Sequence, residues 1–125
     1  MATVKGILVN DGGAPARIIN FIAGEDISAG EALKMHTTGK AMLATNGALP
    51  IMGLALTDAS SGAQVSCITG SGVVCYAITL GVAVGDGLNV GGTAGALETS
   101  TDEAVALCLE TNTTSGSLTK VLVTA

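Results

Sequence analysis

The side chains that could carry chemistry are few and lie far apart in the sequence. The chain has a single histidine, His36, next to a Thr-Thr-Gly turn, and three cysteines, Cys67, Cys75 and Cys108. One histidine cannot make a usual metal site or a catalytic triad by itself, and the cysteines lack the short paired spacing of zinc ligands. Cys67 and Cys75 could bridge two adjacent strands, but we predict three reduced, buried thiols that pack as small hydrophobes and bind no metal.

The carboxylates also fail to form a recognisable catalytic pattern. Only Glu25-Asp26 and Asp102-Glu103 are adjacent acids, and neighbouring side chains of an extended chain point to opposite sides. The glycine-rich segments Gly70-Ser71-Gly72 and Gly85-Asp86-Gly87 do not lead into a helix whose N-terminus could bind a phosphate. The sequence therefore predicts a protein that is not an enzyme and has no cofactor.

Composition argues against nucleic acid and membrane as partners. The 125 residues include five Lys and Arg against ten Asp and Glu, with no basic cluster to contact phosphates, and only two aromatics for base stacking. The densest apolar run, Gly72–Val84, is too short for a transmembrane helix, which needs about 20 residues. No secretory signal pattern opens the chain, so we expect synthesis in a reducing cytoplasm.

Apolar and polar residues alternate with a period of two along most of the chain, which is typical of an all-β domain. The 18 glycines fit frequent tight turns between short strands. The predicted strands lie near residues 4–9, 17–22, 32–35, 40–45, 51–58, 64–69, 72–80, 87–90, 96–99, 104–110 and 118–124, with a turn at Ser115-Gly116 before the last one.

An internal repeat gives the domain organisation. The pattern of Ile27–Met35 returns 55 residues later as Val82–Val90, each copy having a Gly, an acid and a Leu at matching places. We predict a compact β-barrel or β-tulip-like domain over 25–125, built from halves near 25–70 and 80–125 that pack about a pseudo-twofold axis. Residues 1–24 lie outside this match and are predicted to be an N-terminal arm.

The predicted arm is too apolar for a solvated tail, since disordered segments contain few such residues. We therefore expect it to contact a neighbouring subunit or a larger partner by adding a strand to its sheet. The candidate contact residues are Val4, Ile7, Val9, Ile18, Ile19, Phe21 and Ile22.

Several short sequence motifs follow one another in an order that is found in a known protein family. Ile27–Met35 is followed by a Gly39-Lys40 turn and by the segment Pro50–Ala59, and the second half repeats this scheme. In this order the chain resembles the bacteriophage capsid decoration (cement) proteins. Glu31 and Met52 depart mildly from the family phrases, and residues 1–24 have no counterpart in them.

The resemblance implies a small β-barrel head decoration protein that performs no catalysis. It implies a homotrimer on the outer capsid surface of the virion, with the major capsid protein and other copies of the chain as partners. The predicted function is to bind the outside of a phage head and stabilise contacts between capsomers.

A different class of function is also compatible with one feature. The turn Ala29-Gly30-Glu31 occurs in small β-clip-like modules that bind ligands or sugars. Such modules usually hold their ligands with aromatic, arginine or lysine side chains, whereas this chain has one arginine, Arg17, and no tryptophan. A ligand-binding module is therefore the alternative prediction.

Overall fold

The computed structural model describes residues 8–10, 17–45, 51–69, 72–100 and 104–124. Within these ranges the regular structure consists of strands, without a helix, as the alternating pattern predicts. The first six strands are β1 (Leu8–Asn10), β2 (Arg17–Ile22), β3 (Ala32–Met35), β4 (Ala41–Leu43), β5 (Gly53–Ala55) and β6 (Gln64–Thr69). The others are β7 (Val74–Val82), β8 (Gly87–Val90), β9 (Leu97–Thr99), β10 (Ala106–Cys108) and β11 (Asn112–Val123).

The strands form two barrels with the same strand order. The first barrel is the sheet β2-β6-β5-β3-β4, which a parallel bridge between Ala23 and Ala41 closes. The second barrel is the ring β7-β11-β10-β8-β9, which the parallel pairing of Thr79 with Leu97 closes, and β1 adds to it along β7. Strand for strand, β2 to β6 correspond to β7 to β11, so the predicted duplication is a duplication of barrels.

The repeated sequence phrase has the same local structure in both barrels. In the turn 28–31, Gly30 has a φ of 92° and the backbone N–H of Ser28 donates to the Glu31 carboxylate at 2.7 Å. In the turn 83–86, the corresponding glycine has a φ of 91° and the first N–H donates to the acid at 2.9 Å. The glycine is needed because L side chains rarely adopt this φ, and the acid satisfies a turn N–H.

The predicted boundary at residue 24 does not hold for β2. This strand pairs with β6 along its whole length, from Arg17 opposite Thr69 to Ile22 opposite Gln64, and it is the counterpart of β7. The sequence match begins only at Ile27 because β2 and β7 share apolar character but few identical residues. Residues 1–7 and 11–16 of the predicted arm lie outside the described part of the chain.

The last strand also differs from its predicted bounds. We expected it to begin near residue 118, after a turn at Ser115-Gly116, but β11 begins at Asn112. Gly116 has a φ of 83°, and the register with β7 shifts between Asn112 and Ser115 and again between Ser115 and Ser117. The glycine therefore makes a bulge within a long strand and not a turn between two strands.

Two clusters of buried side chains form the core. One fills the first barrel and includes Ile27, Leu33 and Val65. The other fills the second barrel and continues across the contact between the barrels, where Leu54 and Ile68 of the first barrel join it. The barrels therefore share one core and pack as a single unit.

The three cysteines are buried in these clusters, as predicted, and free in the structure. Burial raises the pKa of the Cys67 thiol to about 11 and that of Cys75 to about 12. Burial also raises the pKa of Cys108, whose thiol donates to the Glu110 carbonyl. The thiolate form, which is the reactive one, is disfavoured at all three positions.

The contact between the barrels is asymmetric, because each barrel uses a different face toward the other. The N–H of Ile78 in the second barrel donates to the Gly30 carbonyl in the first, at 2.8 Å. The N–H of Ala32 donates to the Gly95 carbonyl, and the N–H of Gly95 donates to the Ala44 carbonyl, both at 2.8 Å. A pseudo-twofold axis would repeat each contact with the barrels exchanged, and no described hydrogen bond does so. The predicted pseudo-twofold packing is therefore wrong.

The described segments contain no helix of the length and hydropathy that crossing a membrane requires.

Candidate interaction surface

Among the residues that the structure describes, strand β2 presents an unpaired edge. The Ser66 carbonyl of β6 accepts a hydrogen bond at 2.7 Å from the N–H of Leu56, the residue that follows β5. The next residue, Cys67, therefore turns its backbone groups toward β2, where it pairs with Ile19. Because these groups alternate in direction along a strand, the N–H and C=O groups of Ile18 and Asn20 point away from β6. Within the described residues, no strand pairs with this part of β2.

The same edge of the second barrel is covered. Leu8 of β1 pairs with Cys75, and Asn10 pairs with Val74. These two partners on β7 correspond to Ile19 and Ile18 on β2. The pairing of β1 with β7 thus shows that this edge of the barrel accepts an additional antiparallel strand.

Apolar side chains surround the unpaired edge. Ile18, Ile19 and Ile22 are 50%, 42% and 41% exposed. Edge strands with such side chains are a liability in a protein that works alone, because they promote pairing with other chains.

The predicted contact residues therefore fall into four groups. Ile18, Ile19 and Ile22 come together at the β2 edge, whereas Phe21 is half-buried and packs on the core of the first barrel. Val9 lies in β1, on the sheet of its own chain. The remaining two predicted residues, Val4 and Ile7, lie outside the described residues.

Sequence reasoning missed a second exposed apolar position. Val84, in the turn 83–86, is the most exposed large apolar side chain of the described residues, at 62%. Its counterpart in the first barrel is Ala29, which is half-buried against the shared core. The replacement of a small residue by Val at matching places in the repeat was the available signal. Met35, at the end of β3, is also exposed, at 44%.

The described residues contain no group of three or more His, Cys, Asp or Glu side chains that could hold a metal ion. His36 is an exposed turn residue, and its Nδ1 accepts the Thr38 N–H at 3.2 Å.

One surface groove, about 350 Å³ in volume, runs beside the turn 83–86. It is lined by Gly81, Val82, Ala83, Asp86, Thr111 and Thr113. The Asp86 carboxylate, its one charged lining group, already accepts hydrogen bonds from the Ala83 N–H and the Thr99 hydroxyl. The groove therefore offers a ligand few groups that the protein itself does not use.

Comparison with known proteins shows a likeness of fold. No family model and no curated protein matches the chain. Among solved structures, the chain is similar to the crystal structure of the head fiber gp8.5 N base in bacteriophage phi29, with a TM-score of 0.66. The match covers 88% of this chain and 95% of the other at 15% identity, so it shows a common fold.

Proposed function

We propose that this chain is a non-catalytic structural protein of a bacteriophage head that binds the outer surface of the shell. Two independent likenesses support the proposal. The order of the sequence phrases around Ile27–Met35 and Pro50–Ala59 resembles capsid decoration proteins, and the fold is that of a phage head fiber base. The major capsid protein is the proposed partner, and stabilisation of contacts between capsomers is the proposed role.

The unpaired edge of β2 is the observation that carries this proposal. The backbone groups of Ile18 and Asn20 are positioned to pair with an extended segment of a shell protein, which would add a strand to the first barrel. Ile18 and Ile19 would be buried in the same contact. This is the mode in which β1 already pairs with β7 in the second barrel.

The size of this contact implies that several copies act together. Complete burial of Ile18 and Ile19 is worth about 1.5–3 kcal/mol each, and both are already half-buried. Association of two molecules costs at least about 4 kcal/mol in lost freedom. One edge strand would therefore hold weakly, and linked copies, such as the expected homotrimer, would gain avidity through effective concentration.

The test is binding of purified protein to heads of the phage that encodes the chain, assembled without this protein. Ile18→Asp places a charge at the unpaired edge, and we expect it to weaken binding by roughly tenfold or more. Ser115→Asp adds the same charge on the exposed part of β11 and serves as the matched control. Unchanged thermal stability of Ile18→Asp would show that the fold is intact.

Equal binding of both variants and the unmodified protein would overturn the role of the β2 edge. Absence of binding by the unmodified protein to such heads would overturn the proposed function itself.

A further inference from the structure

The asymmetric contact between the barrels defines two faces. The turn face of the first barrel comprises the turn 28–31 together with Ala32 and Ala44. The strand face of the second barrel comprises Ile78, Leu118 and the turn 93–95. The contact is close, since a methyl group on Gly30 would meet Leu118 Cδ2 at 2.6 Å and Ile78 Cγ1 at 3.3 Å.

Each barrel should carry both faces, because the barrels are copies of each other. The turn face of the second barrel is then centred on the turn 83–86. The strand face of the first barrel is Ile22, Gln64 and the turn 37–39, since Ile22 pairs with Gln64 as Ile78 pairs with Leu118.

Neither of these faces is occupied within the described part of the chain. A methyl group on Gly85, the counterpart of Gly30, would meet nothing within 4 Å. The same holds for Gly39, the counterpart of Gly95, although Gly95 lies close to Leu43 and Glu31 of the first barrel. Both glycines keep the positive φ of their counterparts, 91° and 82°, so the two turns already have the conformation that the occupied turns have.

The exposed apolar side chains follow the same pattern. Val84 on the turn face of the second barrel is 62% exposed, whereas its counterpart Ala29 packs on the shared core. Ile22 on the strand face of the first barrel is 41% exposed, whereas its counterpart Ile78 is half-buried. Met35, which leads into the turn 37–39, is 44% exposed, and its counterpart Val90 is 3% exposed.

We propose that the turn face of the second barrel binds the strand face of the first barrel in a second copy of this chain. The contact between chains repeats the contact within one chain, with Val84 packing near Ile22 and Gln64 and the Ile22 N–H donating to the Gly85 carbonyl. This inference deepens the proposed self-association and does not require that the protein bind a phage head.

The symmetry of this contact is heterologous, because each copy uses a different face toward each of its two neighbours. Such an interface either closes into a ring or continues as a filament. Since each copy contributes two barrels, a closed ring contains twice as many barrels as chains. Gln64 replaces the apolar Leu118 at the new contact, so we expect it to be weaker than the contact inside the chain.

Cross-linking of two single-cysteine variants tests the direction of this contact. Val84→Cys and Ile22→Cys each add one exposed thiol, whereas the three native thiols are buried. With a short bismaleimide, we expect dimers when the two variants are mixed and none when either is treated alone. Cross-linking of either variant with itself, or none in the mixture, would overturn the proposal.

A charge at the interface provides a second readout. We expect Val84→Asp to raise the dissociation constant of the assembly at least about tenfold, shifting the mass toward the 12.1 kDa monomer. Ser115→Asp, an equal charge on an exposed site outside both faces, is expected to leave the assembly unchanged. An assembly unaffected by Val84→Asp, or unmodified protein that is monomeric at high concentration, would also overturn the proposal.

The two proposals fail separately. Ile18→Asp is expected to lose head binding and keep its oligomeric mass. Loss of head binding by Ile18→Asp together with cross-linking in the wrong direction would refute the interface and leave the proposed function standing.

Discussion

At the scale of residues, one close approach between strands requires a glycine in the first barrel. A methyl group on Gly53 in β5 would overlap the Ile68 carbonyl oxygen of the neighbouring strand, whereas the corresponding position of β10 holds Ala106. We expect Gly53→Ala to lower the free energy of unfolding by about 1–3 kcal/mol, through this steric conflict. Gly92→Ala is the control, since a methyl group at Gly92 meets nothing within 4 Å, and should change it by less than about 0.5 kcal/mol. Urea unfolding of both variants measures the difference.

A buried polar pair distinguishes the second barrel from the first. The Thr79 and Thr119 hydroxyls lie 2.6 Å apart and both residues are completely buried, whereas their counterparts are Ala23 and Val65. Thr79→Ala removes one of two side-chain partners from the buried Thr119 hydroxyl, which keeps the hydrogen bond donated by the Asn112 amide, and should cost about 1 kcal/mol. Thr79→Ala combined with Thr119→Val copies the first barrel and should cost about 1 kcal/mol less than the sum of the single changes. Additive costs in urea unfolding would contradict this account.

The acid of the first repeated turn predicts a pH dependence. Burial, followed by the nearby Glu25 and Asp58, raises the pKa of Glu31 above its ordinary value of 4.5, against a lowering hydrogen bond from Ser28. The folded chain therefore holds this proton more tightly than the unfolded chain, so stability falls as the pH rises from about 4.5 through the raised pKa. Glu31→Gln removes this contribution, and its stability relative to the unmodified protein should be higher at pH 7 than at pH 4. A difference that does not vary with pH would contradict the prediction.

At the scale of elements, the alternating pattern predicted the strands well because sheets with one buried face impose a period of two. The repeated turn phrase was also readable, since a glycine at positive φ and an acid bonded to the turn are local requirements. The bulge at Gly116 and the membership of β2 in the first barrel were not readable. Both depend on pairing with strands distant in sequence, β7 and β6, and the pattern of one segment does not specify its partner.

The position of β2 changes what truncation should do. A chain starting at Glu25 lacks β2, which leaves Val65 and Cys67 of β6 without the strand that pairs with them. We expect that chain to lose cooperative unfolding, whereas a chain starting at Arg17 keeps both barrels and should unfold cooperatively at a lower temperature. Differential scanning calorimetry of the two truncations makes the comparison. A cooperative transition in the chain starting at Glu25 would show that the first barrel closes without β2.

At the scale of the whole molecule, the packing of the two duplicated barrels explains both the shared core and the exposed apolar surface. One barrel covers part of the other, which buries Leu54, Ile68 and Ala32 in the shared core. In the described part of the chain, the same packing leaves the turn face of the second barrel, the strand face of the first barrel and the edge of β2 exposed. The candidate surface was predictable in part, because the apolar character of Ile18, Ile19 and Ile22 is visible in the sequence. The sequence shows Val84 at the place of Ala29 in the repeat, but the exposure of Val84 follows from which barrel covers which.

We propose that this chain is a bacteriophage head protein, and electron cryo-microscopy of the virions of that phage tests the proposal most directly. We expect two-barrel density on the outer surface of the head, with β2 of the first barrel against a strand of the shell. Heads that carry no such density, with the protein left free in the lysate, would contradict the claim that it is a structural protein of the head.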